Sequence, residues 1–301
     1  MASSSEGPLK IGHIGLGRMG SGIAGRVLDG GHDLVVYNRT AEKAADLVAR
    51  GAAAAASIAE ACAGRDVVIT MLADDEALAE VTLGPNGIRD SLAQGSIHMV
   101  MGTHGVRVVQ EIAAAHADAG QSLVAAHVLG RPDLAASGQL GIVAAGPGAA
   151  VARCRPLFQV IGRQTFEAGE RPEGSTAIKL ANNFALGCAI EAMGEAFSLV
   201  RSYGVPPSVL HEVLTEALFA APAYKVYGQI MVDESYDRVG FTSELALKDA
   251  NLILAAADQA GIPLPSVNLY RDRLLSAIAH GDGEKDWAVL AREQARAGGL
   301  E

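Results

Sequence analysis

Three polar side chains recur inside one long apolar stretch, and their chemistry is that of proton transfer. Ser175–Tyr203 contains no proline and is long enough for a single helix of about seven or eight turns. Along it Lys179, Asn182, Asn183 and Leu186 fall three or four residues apart, so the amine and the amides share one helical face. Two readings are open from these residues alone. The lysine can snorkel to water while the amides are satisfied at a helix interface. Alternatively, the amine donates a proton to a developing oxyanion and an asparagine orients it. A second constellation stands near the start, where Gly15-Leu16-Gly17-Arg18-Met19-Gly20 spells G-x-G-x-x-G.

That motif is weak by itself in a glycine-rich chain, and its surroundings give it weight. It follows the apolar strand pattern Leu9–Ile14, opens the helical run Ser21–Leu28, and leads to a second strand pattern, Asp33–Tyr37. In a dinucleotide site the first glycine makes the tight turn, the second admits the pyrophosphate, and the third lets helix and strand pack closely. The helix N-terminus then offers amides and the positive end of its dipole to the phosphates. An NAD site usually ends its second strand with an acid for the ribose 2′-hydroxyl. Here Asn38-Arg39-Thr40 follows instead. No carboxylate repels a 2′-phosphate, Arg39 can pair with it and stack on adenine, and Asn38 and Thr40 can donate hydrogen bonds. NADPH is therefore favoured, with NADH as the lesser cofactor. The plainer alternative leaves Arg39 solvating the strand end and Thr40 capping the next helix.

The elements around these residues alternate. Asp66–Leu72, Ser96–Met101, Ser122–Val128, Leu140–Ala145 and Gln164–Ala168 read as strands separated by alanine-rich helices, which implies a mainly parallel, doubly wound sheet. Leu72, closing its strand, joins the expected cofactor contacts. At Gly169–Gly174 a Pro/Gly/charge cluster ends the alternation, and helical patterns follow at Pro207–Phe219, Glu244–Ala260 and Leu264–Gly281. The expected organisation is an α/β Rossmann domain over residues 1–172 and an all-α substrate and dimerisation domain over 173–301, joined by the long helix.

Composition narrows the function classes. The 301 residues are 50% hydrophobic with a formal charge of −10, and no lysine/arginine run offers a nucleic-acid footprint or an anionic-membrane patch. No apolar run is long enough to span a membrane and the first ten residues lack a leader pattern, so a cytoplasmic protein is expected. Cys62, Cys154 and Cys188 are too few and too far apart for a disulfide framework or a CxxC site, and read as small buried residues.

Four segments together resemble the β-hydroxyacid dehydrogenases: HIGLGRMG near the start, AAHVLGRPDLAASGQL (125–140), GSTAIKLANNF (174–184) and LALKDANLIL (245–254). That family includes 3-hydroxyisobutyrate dehydrogenase and the glyoxylate or succinic semialdehyde reductases, carries the 6-phosphogluconate dehydrogenase type of NAD-binding domain, and shares its architecture with the imine reductases. The resemblance implies a homodimer, Lys179 as general acid/base and Asn183 as its support, with hydride passing between nicotinamide and a small carbonyl or 3-hydroxy acid. Burial and a nearby positive charge, with Lys248 a candidate for it, should draw the Lys179 pKa toward neutrality. Lys248 is implied to lie against the cofactor, while Asp249 caps or pairs locally.

The chain departs from the family at two loops. Where the family reads serine-glycine-glycine after an alanine-proline-valine, this chain has His127-Val128-Leu129-Gly130-Arg131-Pro132. Leu129, Gly130, Arg131, Thr103 and Asn182 are the expected substrate contacts. Arg131 either clamps a carboxylate in place of the missing serine or pairs with Asp133. The family's aspartate-x-serine-threonine becomes Val100-Met101-Gly102-Thr103-His104, keeping only Thr103 as a contact to nicotinamide or substrate. His104 and His127 lack a metal-ligand pattern, and no metal is expected. Phe219, Tyr224, Tyr227 and Phe241 wall a pocket or form core. An imine reductase and a non-catalytic NADPH-binding sensor are the competing readings; the retained Lys179 and the Lys179/Asn183 pair argue against them.

Overall fold

In the computed structural model, which describes residues 7–300, the chain forms two compact units, one up to Lys179 and one from Leu180 onward. Met1–Glu6, part of the segment read as lacking a leader, lie outside the described residues. The first unit runs β1 (Lys10–Ile14), α1 (Arg18–Asp29), β2 (Asp33–Tyr37), a 3-10 turn (Ala41–Ala44) continuing into α2 (Ala45–Ala49), β3 (Ala53–Ala54), α3 (Ile58–Cys62) and β4 (Val67–Thr70). It continues with α4 (Asp75–Leu83), α5 (Ile88–Ser91), β5 (Ile97–Val100), α6 (Val106–Asp118), β6 (Ser122–Leu129), α7 (Pro132–Ala136), β7 (Leu140–Ala145), α8 (Gly148–Ile161) and β8 (Gly162–Glu167).

The strands form one eight-stranded sheet ordered β3-β2-β1-β4-β5-β6-β7-β8. Every pairing is parallel except β6 with β7. The exception has a simple cause: the Gly130–Gln139 link is shorter than the dozen or so residues a parallel crossover needs. The doubly wound expectation holds, with this antiparallel pair as the departure from a wholly parallel sheet. The interior strands β4, β5, β6 and β7 are buried on both faces because both are covered, whereas the edge strands β3 and β8 are exposed. Ile11, Val36, Val67 and Ile69 pack with Ile23, Ala24 and Val27 of α1 and Leu157 and Phe158 of α8. On the other face Ile14 and Val68 pack with Ala61 and Ile88, and Val100 and Leu123 with Leu78, Val109 and Ile112. Each such fully buried side chain contributes about 1.5–3 kcal/mol. Because β1 connects outward to β2 while β4 connects the other way, the crevice beyond their carboxyl ends is the topological switch point, where ligands of such sheets bind.

Helix α9 (Glu173–Ser202) crosses from one unit into the other. The second unit continues with α10 (Pro207–Glu216), α11 (Pro222–Val232), α12 (Ser243–Ala260), α13 (Pro265–Ala279), a 3-10 turn (Trp287–Val289) and α14 (Leu290–Ala297). Prolines at the first turns of α10, α11 and α13 start those helices where a backbone N–H is dispensable. The Thr242 hydroxyl caps α12 by accepting from Leu245 N at 3.2 Å. Trp287 is buried, with Tyr227 and Phe241 set edge-on to its ring at 5.8 and 5.3 Å between centroids. Tyr227 is therefore core and Phe241 packs half-buried against Trp287, whereas Phe219 is exposed and pairs with Tyr224.

Helix α9 leaves Ile178 and Leu199 45% and 61% exposed in the single chain. One expectation needs correcting. Cys188 is half-buried, unlike the buried Cys62 and Cys154. Among the described residues no helix is long and apolar enough to cross a membrane.

Candidate cofactor and active site

The glycine turn between β1 and α1 is shaped by close backbone approach. Gly15 has φ +100°, and a Cβ there would strike the Met71 carbonyl. A Cβ at Gly20 would strike the Gly15 carbonyl, so α1 could not sit this close to the strand with any other residue. Gly17 has open space where its Cβ would be, at the start of a helix whose first turn contains no acid. An anion can approach that backbone without steric or electrostatic penalty. Leu16 N donates to Asn38 Oδ1 at 2.8 Å, and Asn38 Nδ2 donates to Thr40 O at 2.9 Å. Asn38 thus uses both ends of its amide inside the chain and braces the glycine turn against the loop after β2. Arg39 and Thr40 are exposed there, Arg39 with no ion pair to any described residue. The Thr40 side chain makes no capping hydrogen bond to the turn that follows it. Arg18 is exposed and Met19 packs against the core.

Beside the end of β2 lies a cleft of about 350 Å3 lined by Tyr37, Ser57, Ile58, Pro85 and Asn86 among others. Sequence reasoning missed it because three separate loops supply its walls. Leu72, just past β4, touches two of the core clusters. After β5, Thr103 is half-buried in a loop pinned by Asp75, whose Oδ1 accepts from Gly105 N at 2.9 Å and lies 3.3 Å from His104 Nδ1.

The start of α9 is stitched to the sheet ends. Ser175 Oγ donates to Val143 O at 2.6 Å and lies 3.4 Å from His127 N. Thr176 Oγ1 is 2.9 Å from His127 Nε2. One turn on, Lys179 Nζ donates to Val128 O at 2.8 Å. Burial holds the His127 pKa down at about 3, assisted by the charges of His104 and Lys179. Beyond Val128 the chain passes half-buried Leu129 and exposed Gly130, whose φ of +142° suits only glycine, to Arg131 at the N-cap of α7.

In the second unit Asn183 Nδ2 donates to Asp249 Oδ2 at 2.6 Å, and the exposed Asn182 donates to Asn183 Oδ1 at 3.3 Å. Lys248 Nζ stands 3.1 Å from Asp249 Oδ1. Asp249 is 3% exposed, so it is the buried partner of both rather than a surface cap. The aspartate was legible only as half of a lysine-aspartate pair, since nothing in sequence shows which distant amide it meets.

Residues 10–169 match the model of the NAD binding domain of 6-phosphogluconate dehydrogenase. Residues 174–293 match that of the NAD-binding region of NADP-dependent 3-hydroxyisobutyrate dehydrogenase. The chain belongs to the β-hydroxyacid dehydrogenase family. This β-hydroxyacid dehydrogenase is 43% identical to an uncharacterized oxidoreductase of Bacillus subtilis (strain 168), over 94% of this chain and 99% of the relative. It is 31% identical to a 3-hydroxyisobutyrate dehydrogenase of Pseudomonas aeruginosa, over 92% and 94% of the two chains. The crystal structure of a 3-hydroxyisobutyrate dehydrogenase from Salmonella typhimurium superposes with a TM-score of 0.83 at 27% identity, covering 94% of this chain and 99% of that one. As a member of this family the chain is an NAD(P)-binding oxidoreductase.

Proposed function

We propose that this β-hydroxyacid dehydrogenase is an NADPH-dependent reductase of a small semialdehyde or keto acid, running in reverse as a 3-hydroxy acid dehydrogenase, with Lys179 as general acid/base. The observation that carries the reading is the Lys179 ammonium held at 2.8 Å on the Val128 carbonyl. A donor fixed by a backbone acceptor keeps its remaining protons aimed, where a solvated lysine would sample many rotamers. When bound, the nicotinamide supplies or accepts the hydride. Lys179 stabilises the oxyanion that develops on the carbonyl oxygen and passes it a proton; in the oxidative direction it takes the hydroxyl proton. Asn183, held by Asp249, supports the lysine one helical turn away. Arg131 offers a bidentate partner to a substrate carboxylate, next to Leu129 and Gly130, with Thr103 and Asn182 as further contacts.

For the cofactor, Gly15, Leu16, Gly17, Arg18, Met19 and Gly20 hold the pyrophosphate, with Leu72 and Thr103 near the nicotinamide and Lys248 as a cationic contact. Arg39 takes the 2′-phosphate with Thr40, and what supports that role is its exposed guanidinium and the lack of an acid at Asn38-Arg39-Thr40. A homodimer fits the apolar Leu199, Tyr203 and Leu218 left 61%, 81% and 89% exposed on the second unit.

NADPH consumption across a panel of succinic semialdehyde, glyoxylate and cyclic imines, and NADPH formation from NADP+ with 3-hydroxyisobutyrate and L-serine in the reverse direction, test the assignment in wild type and Lys179→Met. Carbonyl turnover that the variant abolishes is expected. Turnover confined to imines would move the chain to imine reduction, and NADPH binding without turnover would make it a sensor.

A further inference from the structure

Among the titratable groups that hydride transfer itself does not use, His127 has the least expected position. It sits on β6 between apolar neighbours, Ala125, Ala126 and Val128, and is fully buried. An imidazole in such a place destabilises the fold unless its nitrogens are bonded. Its Nε2 is 2.9 Å from the hydroxyl of Thr176, itself fully buried, three residues before Lys179 on α9. Its Nδ1 is buried with no hydrogen-bond partner among the described residues, and the ring lies close enough to Lys179 and His104 for their charges to act on it. The residue before Lys179's own acceptor is thus tied to the helix that carries Lys179.

We propose that His127 is a positioning residue for the proton transfer: its imidazole holds the Thr176 hydroxyl, fixing the first turns of α9 so that Lys179 keeps its ammonium on the Val128 carbonyl. The proposal rests on the reading of Lys179 as the acid. The geometry is that of a three-point clamp. Ser175 Oγ bonds Val143 O on β7, Thr176 bonds His127 on β6, and Lys179 bonds Val128 beside it, so the helix cannot rotate without breaking all three. A neutral ring serves this purpose, since a cation beside the ammonium would repel it.

The test uses the full chain with Thr176→Val, Thr176→Ser, His127→Phe, the His127→Phe/Thr176→Val double variant and Lys179→Met. Steady-state kinetics use whichever panel substrate wild type turns over fastest. NADPH affinity is read by fluorescence titration. The accessibility of Lys179 is read by its rate of reductive methylation with formaldehyde and borohydride, followed by mass spectrometry, which needs no turnover. Thr176→Val should lower kcat by about 10- to 100-fold, the cost of a misplaced catalytic group. NADPH affinity and substrate KM should stay near wild type, and Lys179 methylation should speed up several-fold. Thr176→Ser should restore both. The double variant should be no worse than the worse single, because both substitutions cut one contact. Wild-type kcat and methylation in Thr176→Val, failure of Thr176→Ser to recover them, or additive losses in the double variant would each overturn the proposal. Undiminished turnover in Lys179→Met would instead overturn the acid assignment, while the methylation rates still report whether the clamp holds the amine.

Discussion

Asn183 Nδ2 and Asp249 Oδ2 meet at 2.6 Å in an environment that leaves the two residues 7% and 3% exposed. The pairing fixes which end of the amide faces which way: nitrogen to the carboxylate, oxygen toward Asn182. A charge-assisted bond of this kind is about twice as strong as a neutral one, and replacing its donor by an acceptor reverses its sign. Asn183→Asp should therefore set two buried carboxylates against each other and cost on the order of 3 kcal/mol at pH 7. Adding Asp249→Asn should recover most of that, because the donor and acceptor have merely changed places. Urea denaturation of the single and double variants at pH 7 reads this out; equal stabilities for the two would show that the pair does not hold the amide.

Lys179→Arg separates charge from proton transfer. Arginine keeps a cation and donors for Val128 O but does not give up its proton in proteins. Turnover should fall by about 10^2- to 10^4-fold, the range ascribed to a general acid/base, while NADPH affinity by fluorescence titration stays near wild type. A variant that retained more than a tenth of the wild-type kcat would mean that the lysine acts only as a charge.

Arg39→Asp tests cofactor choice. A guanidinium paired with a phosphate is worth roughly 1.5–3 kcal/mol, so the NADPH KM should rise by about 10- to 100-fold and the NADH KM little. An unchanged ratio of the two constants would remove Arg39 from the 2′-phosphate site.

Much of this was legible in the sequence, for a physical reason. The buried strands and the glycine turn declare themselves locally: residues 34–37 and Leu140–Ala145 are read off as short runs without a charge, and Gly15 and Gly20 by their spacing from a strand and a helix. The long helix is likewise local, its expected start at Ser175 lying within two residues of Glu173. What sequence could not supply is long-range pairing. Asp249 meets Asn183 across 66 positions and His127 meets Thr176 across 49, and nothing in either neighbourhood announces the partner. Helix α11 also escaped the pattern reading, because the aromatics at Tyr224 and Tyr227 suggested a pocket wall as readily as a helix face.

Buried histidines set an acid limit on stability. Burial pulls the His13 pKa down to about 4 and that of His127 to about 3, and holds His98 well below its usual range with His116 adding to the effect. Below pH 6.5 or so the unfolded chain takes up these protons while the folded one does not, so stability falls as pH drops from about 6.5 towards 4. Among the described residues His13 finds no hydrogen-bond partner for either ring nitrogen, so His13→Leu should stabilise the fold by about 1–3 kcal/mol at pH 5 and less at pH 8. Equal gains at both pH values in thermal or urea denaturation would count against the titration.

Glu191 on α9 predicts the opposite slope. Burial lifts its carboxyl to about 7, although Arg273 Nε at 3.2 Å pulls the other way, and its Oε2 is buried without a hydrogen bond. The folded state therefore holds this proton over a range in which the unfolded carboxylate, titrating near pH 4.5, has already lost it. That contribution is present at low pH and disappears as pH rises from about 4.5 through 7. Glu191→Gln keeps the volume and one acceptor for Arg273 while removing the ionisation. Compared with wild type, it should be close in stability at pH 5 and more stable at pH 8.5 by about 1–3 kcal/mol, the order expected for a shift of this size. Urea midpoints at the two pH values measure the difference directly. If the variant were instead less stable at pH 8.5 than at pH 5 relative to wild type, the Glu191–Arg273 ion pair would be outweighing the desolvation of the carboxylate, and the sign of this alkaline limb would reverse.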